Sequence, residues 1–416
     1  MADVRPFKAV RPAGQLAARI AALPYDVMDT EEARVEVLKE PFSFLQIDRA
    51  EVNFPKGTDP YGQEVYQKAA EIFHSMLQKG SFIREEKECY YLYELTMNGR
   101  TQAGIGAVCA VDDYVNRVIR KHENTREEKE RDRICHVDAL NAQTGPIFLA
   151  YRAHEGIREL ICRLRKEKEP VYDFTSPDGI THRITIIEAE EDIRTIRDAF
   201  RGMDRLYIAD GHHRAASAVK VALKRREALK GSGEEAHEAE HDFFLAVLFG
   251  DDELQIMDYN RVVKDLNGLS EDRFFDRLRK KFEVEEAGDE PVHPKEKGTF
   301  GMYISGKWYL LTARETARSE DPVAGLDVSI LQNEVLSPIL GIEDPKKDSR
   351  IDFIGGIRGL EALTQRVDRR EAMVAFSMYP TSIQELFATA DAGELMPPKS
   401  TWFEPKLRSG LLIHQI

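Results

Sequence analysis

The sequence predicts an α+β fold with more than one domain. Three observations carry this. The chain holds 416 residues, too many for one ordinary core. Its strand-like runs come in hairpins, with turn dipeptides at Asn98-Gly99 and Ser305-Gly306. Strands and helices mix without regular βαβ alternation, which argues against a doubly wound sheet.

Taken in order, residues 90–112 read as a hairpin. "YYLYEL" is aromatic and β-prone, and "AGIGAVCAV" returns after the turn. Leu206 to Ala209 is a short strand. Ala215, Val219, Ala222 and Leu223 then fall at helical spacing, so a helix is expected from Arg214 to about Lys230. "KGSGEEAHEAEHD", residues 230–242, is polar and reads as a surface linker. A boundary is expected there, giving domains over 1–230 and 243–416. The second opens with "FFLAVLFGDDELQIMDYNRVV", a strand, a turn and a strand. It continues through the hairpin "GTFGMYISGKWYLLTA" and helical patterns such as "VSILQNEVLSPIL". "RIDFIGG", residues 350–356, reads as a strand and turn.

Composition narrows the function. Hydrophobic residues at 42% suit a globular chain. No stretch approaches the roughly 18 uncharged apolar residues of a membrane helix, and "MADVRPFKAVRP" lacks the apolar segment of a secretory leader. Cys89, Cys109, Cys135 and Cys162 lie far apart, without a CxxC pair, so neither a zinc ribbon nor a disulfide scaffold is expected. A cytoplasmic protein is the simple reading. The net charge of −14 opposes bulk nucleic-acid binding. A small anionic ligand at one site fits better, with no membrane partner; a homodimer is an open option.

The segment "LYIADGHHRAASAV", residues 206–219, is the sharpest feature. A strand, an Asp-Gly turn and a helix start present free backbone N–H groups and the positive end of a helix dipole. His212, His213 and Arg214 add donors there, and Gly211 lets a ligand approach the backbone. The stretch reads as a phosphate or nucleotide anchor. Asp210 could face Mg²⁺, which takes one or two carboxylates plus phosphate oxygens. The plainer alternative makes Asp210 an N-cap and the histidines surface groups.

A second constellation spans residues 119–146. "KHENTREEKERDR" supplies Lys121, His122, Glu123, Thr125, Arg126, Lys129, Arg131 and Arg133. It is either an ion-paired helix face or a catalytic segment. In the latter reading Glu123 is a general base, and Lys121, Arg126 and Arg133 neutralise transferring phosphate. "NAQTGP" places Thr144 and Gly145 in a phosphate-side loop. A divalent site built from His122, Glu123, His136, Asp138, Asp210, His212 and His213 competes, although HExxH is absent. GxxxxGK[ST], GxGxxG after a strand and GxSxG are absent too. Asp26 in "LPYDVMD" and Asp48 in "SFLQIDRAE" could line a pocket, but loop residues are the favoured reading. "MPPKSTWFEPKLRSGLLI", with Lys399, Ser400, Thr401, Trp402 and Lys406, reads as a docked tail or a lid.

These residues also carry a resemblance. "RPFKAVRP", "PYDV", "KHENTREEKERDR", "NAQTGP", "YIADGHHRAASA" and "MPPKSTWFEPKLRSG" together resemble the bacterial and archaeal domain-of-unknown-function family one-zero-one-five, nearly end to end. That family name implies no activity. More distantly, "ADGHHRAASA" is similar to the Gly-His/Glu-Arg-Arg box of the ParB/sulfiredoxin superfamily, where a strand–turn–helix binds nucleotide phosphates. "FKAVRP" resembles that superfamily's first strand. Its members include free-serine kinases, which make O-phosphoserine from serine and a nucleotide. The resemblance implies a ParB/sulfiredoxin-like nucleotide-binding core with an additional α+β C-terminal part. By motif, Asp210, Gly211, His212, His213 and Arg214 match the phosphate box, and Glu123 is the candidate catalytic glutamate, although its surroundings differ. The second half has no counterpart. No helix-turn-helix is evident, and no cysteine lies in the box. A small-molecule kinase is therefore expected, using ATP or ADP with Mg²⁺ on a polar metabolite, with free L-serine the first guess. A non-catalytic CTP or ATP regulator and a metal-dependent phosphohydrolase are the alternatives.

Overall fold

The structure, a computed structural model, describes residues 1–232 and 239–416. It divides into two units, one of residues 1–254 and 405–416, the other of residues 255–404. The linker expected over 230–242 therefore falls inside the first unit, with its 233–238 part outside the described residues. The physical reason is the run after it. Phe243–Gly250 is buried throughout and sits inside a sheet, parallel to Ile147–Tyr151 and antiparallel to Arg100–Ala110. An apolar run covered on both faces belongs to a sheet interior and cannot begin a separate domain.

Among the described residues, the first unit carries a mixed nine-stranded sheet. Its order begins with Ile119–Arg120, Leu206–Asp210, Ile147–Tyr151 and Phe243–Gly250. It continues with Arg100–Ala110, Tyr90–Met97, Thr181–Ile187 and Tyr172–Thr175, and Val4–Arg5 pairs with Arg100–Ala110. The expected hairpin is present. Asn98 and Gly99 both have positive φ, 51° and 79°, the geometry a two-residue turn needs to match strand twist. Helix His212–Ser232 packs on the sheet through Ala215, Ala218, Val219 and Ala222, while Leu223 faces solvent. Small side chains on that face bring the helix close to Leu149, Ile208 and Leu248. A second core in this unit gathers Phe73 and Ala69 of helix Gln63–Gln78 with Phe44, Ile47 and Ile413.

Helix Glu127–Leu140 lies along helix His212–Ser232. Ser217, fully buried, donates to the Glu130 carbonyl at 3.1 Å, and Lys224 reaches Asp138 at 2.7 Å. The charge-rich segment is thus a helix face in part, with His136 and Leu140 on its buried side.

In the second unit, residues 255–404 form a fully antiparallel six-stranded sheet among the described residues. Its expected hairpin joins Thr299–Ile304 to Lys307–Ala313 through Ser305 and Gly306, again both at positive φ. Helix Glu361–Asp368 covers one face with Leu363 against Trp308 and Ala375. "RIDFIGG" is the edge strand Ile351–Gly355.

The last twelve residues return to the first unit. Residues 405–416 are a docked tail. Ser409 and Ala22 exchange backbone hydrogen bonds at 2.9 and 3.2 Å, as do Ile413 and Val10 at 2.9 Å each. Arg408 Nε donates to His182 Nε2 at 3.1 Å, and Leu411, Leu412 and Ile413 are fully buried. Truncating Leu412 to Ala should destabilise the first unit by about 2–5 kcal/mol, the cost of an unfilled core site. Denaturant unfolding checks this; a loss within error of zero would show that the tail does not close this core.

Candidate active site

Strand pairing assembles the site. Ile119–Arg120 and Leu206–Asp210 run parallel, with Leu206 opposite Ile119 and Tyr207 opposite Arg120. Parallel strands end at the same sheet edge, so residues 121–126 and 210–214 emerge side by side. Two hydrogen bonds join them. His122 N–H donates to His212 Nε2 at 3.5 Å, and Arg126 N–H donates to His213 Nε2 at 3.0 Å. The His122 and His212 rings meet edge to face at 4.5 Å.

Gly211 makes the turn. Its φ of +91° is rarely adopted by residues with a Cβ, and a Cβ there would sit 3.1 Å from the Arg214 guanidinium. The Arg214 side chain thus folds back over the loop, and it donates to the Pro146 carbonyl. The helix beginning at His212 leaves its first-turn N–H groups without intrahelical acceptors, a standing anion site. Asp210 ends the strand with its carboxylate a third exposed. Lys406 Nζ donates to Oδ2 at 3.3 Å, and Arg214 Nη2 lies 3.7 Å from the same oxygen. Burial alone would raise the Asp210 pKa; Lys406 and Arg214 overrule it and hold the group ionised, below the usual carboxylate range.

The histidines act differently from the sequence expectation. Burial pushes His212 well below its ordinary pKa, with His122 adding to the effect, and burial lowers His213 too. Each accepts a backbone N–H at Nε2. They are neutral rings whose remaining N–H lies at Nδ1, so they offer single donors rather than positive charge. The Glu123 carboxylate, at intermediate exposure, sits 4.0 Å from His212 Nδ1. Lys121 and Arg126 are exposed beside this loop. Buried His122 leaves Nδ1 without a hydrogen-bond partner among the described residues.

Other expected residues lie elsewhere. Thr125 gives its hydroxyl to Glu130. Arg133 is buried against Asp132 at 3.0 Å, with its guanidinium 4.1 Å from the Tyr25 ring centre. Thr144 donates to Asp48 at 2.9 Å, and Gly145 lies beside Arg214 and Ser409. The proposed seven-residue metal cluster does not assemble. His136 Nε2 bonds the Ile47 carbonyl at 3.1 Å, and Asp138 pairs with Lys224 and Arg225. Among the described residues no group of three or more His, Cys, Asp or Glu is placed to hold a metal ion.

For Asp48 the sequence favours a loop over a pocket wall, and the structure shows the pocket wall. Asp48 ends the short helix Leu45–Asp48, is buried, and lines a small cleft with Tyr25, Arg133, His136, Thr144 and Arg214. Ser409 comes to this cleft from the tail. An acidic residue at the end of "FLQI", an apolar run, was the available signal.

Burial holds His122 and His136 at about 4 and His182 at about 3, with Arg133 adding to the effect at His136 and Arg408 at His182. Unfolded histidine titrates near about 6.5. The unfolded chain therefore takes up protons first as pH falls, and stability present above that value is lost progressively toward pH 4. The melting temperature should drop from pH 7 to pH 4.5, and His182→Gln should flatten that slope. An equal slope in the variant would contradict the assignment.

Comparison with known proteins adds the family. The chain matches the family described as "Protein of unknown function (DUF1015)" over residues 4–329. No curated protein matches it. Similar solved structures include a free serine kinase in complex with AMP, at 14% identity and a TM-score of 0.35, covering 73% of this chain and 91% of that one. A conserved hypothetical protein from Pyrococcus furiosus matches at 14% identity and a TM-score of 0.35, covering 74% and 94%. SbnI with C-terminal truncation, from Staphylococcus aureus, matches at 12% identity and a TM-score of 0.36, covering 73% and 85%. At such scores these likenesses carry no argument about activity. Among the described residues, no helix is long and apolar enough to cross a membrane. With the family match running through most of its length, the chain belongs to the DUF1015 family of proteins of unknown function.

Proposed function

We propose that this protein is a small-molecule kinase that uses ATP or ADP and phosphorylates the hydroxyl of a polar metabolite, with free L-serine the first acceptor to try. The observation that carries the reading is the loop at residues 210–214. There a positive-φ glycine, a helix start, Arg214 and Lys406 converge beside a carboxylate, Glu123. The reading includes a ParB/sulfiredoxin-like core within the first unit, from the motif resemblance.

The parts divide as follows. The first-turn N–H groups, Arg214 and Lys406 hold phosphate oxygens, with exposed Lys121 and Arg126 adding charge at the rim. His212 and His213 contribute neutral N–H donors. Asp210 would meet Mg²⁺ directly or through water, beside phosphate oxygens that draw Lys406 and Arg214 away from it, and the ion would supply neutralisation of phosphate charge. The acceptor hydroxyl oxygen bonds to the terminal phosphorus as the bond to the leaving phosphate oxygen breaks. The hydroxyl proton passes to Glu123, giving the phosphorylated product and ADP or AMP.

Mass spectrometry of the protein incubated with Mg²⁺, ATP or ADP and a pool of hydroxylated metabolites tests this. A phosphorylated metabolite should form, and Glu123→Gln should slow it by about 10²–10⁴-fold. Nucleotide bound without transfer would instead favour a regulator. Lys406→Met should weaken nucleotide binding by about 10–100-fold, the worth of a charge-assisted contact. Unchanged affinity by calorimetry would remove the tail from the site.

A further inference from the structure

The charge-rich segment carries Glu123, Glu127, Glu128 and Glu130. Glu127 and Glu128 are exposed, whereas Glu130 is buried in the first turn of helix Glu127–Leu140. Each oxygen of its carboxylate has a partner. Oε1 accepts the Thr125 hydroxyl, and Oε2 accepts from Lys220 Nζ on helix His212–Ser232. The Glu130 carbonyl accepts the Ser217 hydroxyl of that same helix at 3.1 Å, and the Glu130 N–H donates to the Arg126 carbonyl at 3.0 Å. Burial alone would raise the Glu130 pKa; Lys220 and Thr125 overrule it and hold the group ionised, below the usual carboxylate range. A charged acceptor makes both side-chain bonds stronger than a neutral one would. One carboxylate thus ties residue 125 of the loop to residue 220 of the helix. The loop backbone is otherwise joined to that helix by His122 N–H to His212 and Arg126 N–H to His213. Glu123 and Thr125 lie between those two bonds.

Resting on the phosphotransfer reading above, we propose that Glu130 is a positioning residue of this site: it clamps the loop that carries Glu123 to the helix that carries the phosphate contacts, and so sets the reach from the base to the acceptor hydroxyl. Glu130 touches neither nucleotide nor acceptor. Arg214 and Lys406 keep their own bonds, to the Pro146 carbonyl and to Asp210, when the clamp is lost. The base is what loses its aim, and a misplacement of about 1 Å costs on the order of a hundredfold in rate. The clamp therefore acts on the transfer step and leaves nucleotide binding nearly untouched.

The test compares Glu130→Ala, Glu130→Gln and Thr125→Val in the full-length protein. For each, transfer from ATP or ADP to the acceptor found in the metabolite pool, affinity for a non-hydrolysable ATP analogue, and amide exchange are measured. Glu130→Ala should lower kcat by about 10–100-fold, with the analogue bound within about threefold of wild type. Glu130→Gln keeps an acceptor for Thr125 and loses the charge that holds Lys220, so its kcat should fall between the two. Thr125→Val should lower kcat in the same direction, and adding it to Glu130→Ala should cost little more, because both remove one interaction. Amides of residues 122–126 should exchange faster in Glu130→Ala, with the sheet amides around Leu149 and Ile208 unchanged. Wild-type kcat in Glu130→Ala, analogue affinity falling as far as kcat, or faster exchange throughout the sheet would overturn the assignment. If the wild-type protein transfers no phosphate, the phosphotransfer reading falls by itself. Faster exchange confined to residues 122–126 in Glu130→Ala would then keep Glu130 as the anchor of this loop, and unchanged exchange there would remove it.

Discussion

The site depends on one ion cluster. Asp210 ends a strand, Arg214 lies in the first turn of the following helix, and Lys406 arrives from a tail almost two hundred residues later. A partly buried carboxylate is unfavourable alone, because burial penalises its charge. Two cations reverse that penalty, and in doing so they pin three chain segments to one point. The Arg214 side chain lies over the Gly211 turn that the same cluster fixes.

The second constraint is strand direction. Ile119–Arg120 runs parallel to Leu206–Asp210, so two loops distant in sequence leave the sheet together. The histidines seal the junction through ring nitrogens that accept backbone N–H groups. Burial keeps them neutral, and the two acceptor contacts fit that state. It also means that phosphate charge must be met by Arg214, Lys406 and the helix start, rather than by imidazolium.

Much of this was legible in the sequence because it is local. Asn98-Gly99 and Ser305-Gly306 announce their hairpins, and the strand, glycine and helix at residues 206–219 announce the loop. What escaped is set by distance. Lys406 sits in a segment with no periodicity, and only the folded chain brings it to Asp210. The polar stretch at 230–242 reads as a linker by composition, but Phe243–Gly250 beyond it is an interior strand of the same sheet. Arg133 and Thr144 look like phosphate ligands because of their neighbours in sequence. In space they face Asp132 and Asp48, and they build the wall of the cleft behind the loop. Composition records that charges exist, not which of them face each other.

The most direct measurement is amide hydrogen exchange, residue by residue, with and without saturating ATP or ADP. The account predicts slowed exchange at residues 121–126 and 211–215 and in the tail around Lys406, with residues 255–404 showing less change. Saturating nucleotide that leaves those amides unprotected, or protects a different edge of the sheet, would contradict the assignment of this loop as the phosphate site.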